Sequence, residues 1–345
     1  MGALLRVDDL SVALPTRAGY ARAVDGMSFT VDSGEILGIA GESGSGKTMT
    51  AMSLFGLLPP GAQVTGSIRL NGTELLGLPA RRLRDIRGRQ IAMVSQDPSA
   101  ALHPILPIGT QLTEHMRHHL GIGKAEATAR AVTLLDTVRI PDPEQALRSH
   151  AGQFSGGMRQ RIAIAVALAA EPLLLVADEP TTALDVTVQA GILRLLDRLR
   201  RERGMAVIVI THDLGVMSAI ARRVCVMYAG RLVEAGPTAR LLARPRHPYT
   251  RGLLDALPHP EDGDGGRAAL VPIGGSPPSL GRVPAGCPFH PRCRYARPAC
   301  ATDRQEPVPV EEHHLLACQP DPLRPQAPEP PVLPLPGQET RGGAS

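Results

Sequence analysis

Tryptophan is absent from this 345-residue chain, and tyrosine and phenylalanine occur four times each. A chain with so few aromatic faces has little to stack on exposed bases, so no nucleic-acid partner is expected. Its core must come from Leu, Ile, Val, Ala and Met, and a hydrophobic fraction of 43% supplies enough of them. No run of 18 or more apolar residues is present, which excludes a membrane-spanning helix. Asp8 and Asp9 come too early for a secretory signal, so a cytosolic location is expected. Five cysteines, an odd number, point away from a disulfide framework. Lysine is nearly missing: Lys47 and Lys124 are the only two, every other strong base being arginine. The net charge of +4 is modest and no polybasic run calls for an anionic surface. The length suggests two domains.

What is there centres on Gly41-Glu42-Ser43-Gly44-Ser45-Gly46-Lys47-Thr48, which fits the phosphate-loop pattern G-x-x-x-x-G-K-[ST]. A β-type run, Glu35 to Ala40, enters it and a helix-like run, Thr48 to Leu58, leaves it. Glycines let consecutive N–H groups turn onto phosphate oxygens at a positive helix end. Lys47 can reach the terminal phosphates and the Thr48 hydroxyl can ligate Mg²⁺. In a chain that otherwise uses arginine, a lysine here suggests that the compact ammonium matters.

Alternation predicts strands within 4–40, including Met27–Val31. Tyr20, just upstream, reads equally as an adenine-stacking residue or as a surface residue. Ser67–Leu70 followed by Asn71-Gly72 reads as a strand and tight turn, and Ile91–Ser95 as a buried strand ending at Gln96. Residues 109–149 are helical. Gln153-Phe154-Ser155-Gly156-Gly157-Met158-Arg159-Gln160-Arg161 opens a long helix through Ala170. Leu173–Ala177 and Ala206–Ile210 are continuous apolar runs, as in strands buried on both faces. They end at Asp178-Glu179 and Thr211-His212-Asp213. Strands alternating with helices make this an α/β chain with a largely parallel sheet. From Pro258 the composition changes, with 19 of the 33 prolines lying from there to the end.

In chain order, the phosphate loop, Gln96, Ser155-Gly156-Gly157, Asp178-Glu179 and His212 resemble the ATP-binding subunit of ABC transporters. The implied fold is a P-loop nucleotide-binding domain over 1–257. It has a mostly parallel core sheet, an antiparallel β subdomain and a helical insert at about 99–171. Gly41, Ser43, Gly44, Ser45, Gly46, Lys47 and Thr48 would hold ATP, with Tyr20 on the base. Thr48, Gln96 and Asp178 would hold Mg²⁺. Glu179 would act as general base or orienter for the attacking water, with Gln96 and His212 holding that geometry. Ser155, Gly156, Gly157 and Asp185, the last in Ala183-Leu184-Asp185, would face the nucleotide of a second cassette. Phe154 and Met158 stand where the family more often has Leu and Gln. Gln96 to Pro104, His247 to Leu254 and Gly286 to Cys293 further resemble the oligopeptide/dipeptide and nickel importer branch, whose C-terminal extension would cover 258–322; 323–345 reads as a disordered Pro-rich tail.

That resemblance implies peptide import driven by ATP hydrolysis, or import of nickel or another small solute by the same machinery. The implied partners are a second, different ATPase subunit, two transmembrane permease subunits and an extracytoplasmic substrate-binding protein. The place is the cytoplasmic face of the membrane. A soluble ABC ATPase of repair or translation is the competing class, but its fused second cassette or long coiled-coil insert is absent. A non-hydrolytic partner would show a degraded Glu179 or signature.

Cys287, Cys293, Cys300 and Cys318 occupy a segment too poor in apolar residues to build much core, where a metal staple is plausible. Four thiolates suit an iron–sulfur cluster or zinc. The close C-x2–4-C pairs usual for zinc are missing, and the resemblance implies [4Fe–4S]. Cys225, mid-strand, reads as a core residue.

Overall fold

The computed structural model describes residues 2–181, 185–257 and 272–324. The described residues form twelve strands: β1 Leu5–Thr16, β2 Gly19–Val31, β3 Ile36–Ala40, β4 Gln63–Leu70, β5 Thr73–Glu74, β6 Ile91–Val94, β7 Leu174–Asp178, β8 Ala206–Thr211, β9 Arg223–Tyr228, β10 Arg231–Pro237, β11 Val308–Glu311 and β12 His314–Leu316. They form an antiparallel sheet of order β2-β1-β4-β5 and an eight-stranded sheet of order β11-β12-β10-β9-β3-β8-β7-β6. The stretch from β9 to β6 is parallel throughout.

The central strands read as unbroken apolar runs because both of their faces are covered. Period-two alternation then divides each strand between two cores. Ile36, Leu175, Ala177, Val207 and Val209 face a helical layer. Leu37, Ile39, Leu174, Val176, Ile208 and Ile210 face the antiparallel sheet, packing with Leu5, Val7, Phe29 and Ile68. Slipping any of these strands by one residue would exchange its two faces. At the β4–β5 turn, Asn71 and Gly72 both have positive φ, 47° and 78°, as a tight hairpin requires.

Between β6 and β7 the chain is helical, as expected. Helices Ile108–Leu120, Lys124–Thr137 and Pro143–Arg148 precede Gly156–Leu168. Leu112, Met116, Leu134 and Leu135 join this insert to the helical-layer core. Among the described residues no helix is long and apolar enough to cross a membrane.

Residues 258–271, where the extension is expected to begin, lie outside the described residues. β12 pairs antiparallel with β10 and β11 with β12, so the C-terminal extension adds two strands to the main sheet. Sequence reading missed both strands, which are short and sit among polar residues. A buried cluster holds the junction. Glu234 of β10 accepts from the Arg246 and His247 N–H groups at 2.8 and 3.0 Å and meets His314 Nε2 at 2.8 Å. Of the tail expected at 323–345, residues 325–345 lie outside the described residues, as do 183 and 184 of the Ala183-Leu184-Asp185 segment.

Candidate active site

Parallel pairing brings four strand ends to one edge of the sheet, where α/β folds place their ligands. Ala40 is in register with Thr211, Asp178 with Ile210, and Val94 with Ala177. The Gly41–Thr48 loop, Asp178-Glu179, His212 and Gln96 therefore emerge side by side.

The loop needs its glycines. Gly46 has φ 101°, and a Cβ there would come within 2.5 Å of the Ala23 carbonyl oxygen; one at Gly41 would overlap the Met227 carbonyl. Helix Lys47–Phe55 begins directly after Gly46 and has no side-chain cap, which leaves its first N–H groups for a ligand. Lys47 lies back across the loop, donating from Nζ to the Gly41 and Glu42 carbonyls at 2.7 and 2.9 Å. Burial lowers its pKa, opposed by Glu179, Asp178 and Glu42.

Asp178 is buried and its carboxyl is pushed up by desolvation, with the hydrogen bond from Thr48 opposing. Its Oδ1 has no hydrogen-bond partner. A buried carboxylate oxygen without a donor, beside a threonine hydroxyl, is the donor set of a hard divalent cation. The residues present thus fit Mg²⁺.

Glu179 sits at φ 47°, a left-handed conformation that non-glycine residues rarely adopt and that clusters at functional sites. That bend aims its carboxyl along the sheet edge. Gln96 Nε2 donates to Oε2 at 3.2 Å, and His212 Nδ1 lies 3.3 Å from Oε1. Two residues far apart in sequence, Gln96 and His212, therefore converge on the Glu179 carboxyl group beside the phosphate loop. All three, with Ser43 to Thr48, line one cavity of about 880 Å³.

Tyr20 is not brought to this cavity. It pairs with Pro15 at the β1–β2 hairpin and is 55% exposed. The signature residues also stand outside the lining. Ser155 caps helix Gly156–Leu168 and accepts from the Met158 N–H. Gly157 packs against the next helix, where a Cβ would meet Val188 Cγ1 at 2.9 Å. Asp185 caps helix Val186–Arg203, accepting from Val188 N–H at 2.8 Å. Val186 beside it is 83% exposed.

Sequence reading missed a clasp on the phosphate loop. Arg292 of the extension grips Glu42 through two bonds, at 2.6 and 3.0 Å, and the Tyr249 hydroxyl accepts from the Glu42 N–H at 2.7 Å. The only available signal was that Tyr249 and Arg292 fall within the two C-terminal motifs.

The four cysteines of the extension are free, Cys287 buried and the other three half-buried. Burial raises the Cys293 thiol to about 12, and Cys318 is raised by burial and then by Cys287, Cys293 and Cys300. Among the described residues no group of three or more His, Cys, Asp or Glu is arranged to hold a metal ion, so the expected cluster has no ligand set in this geometry. Cys225 is buried in β9, and burial raises it to about 12, as befits a core thiol.

A family model for ABC transporters matches residues 24–182, and one for the C-terminal region of oligopeptide/dipeptide transporters matches 233–300. The oligopeptide transport ATP-binding protein OppD of Salmonella typhimurium is 49% identical over 86% of this chain and 88% of its own. Its Escherichia coli counterpart is 47% identical over 92% and 93%. Among solved structures, a dimeric ATP-binding cassette in a post-hydrolysis state with ADP and Pi is 26% identical, with TM-score 0.61 over 68% of this chain and 98% of that one.

Proposed function

This chain belongs to the ATP-binding subunits of ABC transporters, in the oligopeptide/dipeptide branch, and from that premise we propose that its ATP hydrolysis drives import of di- and oligopeptides through separate membrane permeases. The observation that carries the site assignment is the convergence of Gln96 and His212 on Glu179 at the phosphate loop. Gly41 to Thr48 hold the triphosphate, and Lys47 swings from its carbonyl partners to the terminal phosphates. Thr48, Gln96 and Asp178 would hold Mg²⁺, which would supply positive charge to offset that of the phosphates. Glu179 takes the proton of the attacking water, while Gln96 and His212 fix its carboxyl.

The half of the site that Ser155, Gly156, Gly157 and Asp185 make faces the nucleotide of a second ATPase subunit, a different chain in our reading. Exposed Val186 lies on that face. Ile105, 76% exposed at the entrance to the insert, is suited to docking against one of two permeases, with an extracytoplasmic binding protein delivering the peptide. The working place is then the cytoplasmic face of the membrane. Deleting the chain in cells that lack a redundant system is expected to abolish uptake of a labelled tripeptide. Undiminished uptake would refute peptide import, and loss of nickel uptake alone would move the assignment to that solute.

A further inference from the structure

We propose that the C-terminal extension builds the nucleobase wall of this chain's own ATP site. The proposal rests on the assignment of the phosphate loop to ATP. The cavity has two chemically different ends. One is the phosphate loop with Glu179. The other is apolar, made by Leu14 from β1 and by Pro277, Pro278, Leu280 and Val283 from the extension, with Arg22 at its rim. A nucleotide whose triphosphate lies on the loop must direct its base toward this second end. No Phe or Tyr side chain lines the cavity among the described residues, and Leu280 is 47% exposed, a large apolar surface facing the space a base would fill.

The wall is anchored on both sides. Arg292 donates from Nε to the Gly274 carbonyl at 2.9 Å while its other nitrogens hold Glu42, so one guanidinium ties the start of the wall to the phosphate loop. Beyond the wall, Arg304 reaches Asp25 of β2 at 2.8 Å. Arg231 bonds both Asp25 at 2.8 Å and the Gly286 carbonyl at 3.0 Å. A Cβ at Gly281 would lie 3.6 Å from that of Ala21, so the segment rests on the β2 strand. Asp25 also holds Arg22, at 2.8 Å, which sets a planar cation beside the base position.

Proline rings and a leucine bury the faces of a purine and offer its edge no hydrogen bond. Such a wall rewards apolar area and separates one purine from another poorly. It also makes nucleotide binding dependent on the extension in the same chain.

The test is calorimetric titration of the full-length chain with Mg-ATP and with Mg-tripolyphosphate, which has no base. The double variant Leu280→Ser/Val283→Ser is expected to bind ATP about tenfold more weakly, from the apolar contact removed, and tripolyphosphate as the wild type does. ATP bound equally well by this variant would overturn the proposal. So would an equal loss for both ligands, which would mean that the segment acts on the phosphate loop. Weakened ATP binding in Tyr20→Ala, with the double variant at wild-type affinity, would assign the base to Tyr20 instead. A wild-type chain that bound neither ligand would overturn the ATP assignment itself.

Discussion

Replacing Glu179 by Gln is expected to lower ATP hydrolysis by about a thousandfold, the effect of losing a positioned general base, while Mg-ATP still binds. The amide has the shape of the carboxyl and keeps a partner for Gln96 and His212, which lie 3.2 and 3.3 Å away. It cannot take the water's proton. In the proposed site binding survives because the phosphate contacts would come from Gly41 to Thr48 and the cation site from Thr48, Gln96 and Asp178, none of which Glu179 supplies. The backbone at φ 47° is unchanged by the substitution, so lost activity cannot be charged to a different bend. Steady-state phosphate release checks the rate, and a variant within threefold of the wild type would remove Glu179 from the role of base.

Glu234→Ala is expected to lower the stability of the chain by about 3–5 kcal/mol, the range found when one member of a buried polar pair is removed. Glu234 is fully buried and satisfies two backbone N–H groups and one imidazole nitrogen at once. Truncation strands all three. The neighbourhood is already short of partners, since His247 Nε2 and His314 Nδ1 have none. Burial drives the His247 imidazole down to about 4, so it stays neutral and offers no charge to compensate. Because Glu234 joins β10 to β12, the loss should fall on the extension first. Glu234→Gln keeps an acceptor for the N–H groups and is expected to lose about half as much. Urea unfolding followed by far-UV dichroism measures both, and an alanine variant within about 1 kcal/mol of wild type would contradict this account of the junction.

The sheet edge was legible in the sequence because each of its functional residues follows an apolar run. Gly41 follows Ile36–Ala40, Asp178 ends Leu174–Asp178 and His212 follows Ala206–Thr211. Runs buried on both faces announce themselves, and parallel pairing then aligns their ends. The insert was legible from helical periodicity, and the Asn71-Gly72 turn from its φ requirement. The extension was legible from its motifs, but its strands were not. β11 and β12 are four and three residues long and carry Pro309 and His314, so neither length nor composition marks them as strands. The Arg292–Glu42 clasp joins residues 250 apart in sequence, and nothing local to either position predicts it. Tyr20 read equally as an adenine-stacking or a surface residue, and the sequence could not choose; the long β2 strand, Gly19–Val31, places it near the β1–β2 turn, 55% exposed. The cysteine spacing raised a metal centre, but spacing alone does not specify how near the thiols stand.

Ser155 to Gly157 stand outside the cavity lined by the phosphate loop, and in the proposed function they serve the nucleotide of a second cassette, so that each cassette would offer one half of two sites. The stoichiometry of ATP trapped by the Glu179→Gln protein with its partner subunit tests this most directly. Light scattering coupled to nucleotide quantification should find one closed pair containing two ATP molecules, dispersed again by exchange into ADP. Chains that each bind one ATP and stay apart at the same concentrations would contradict the shared site.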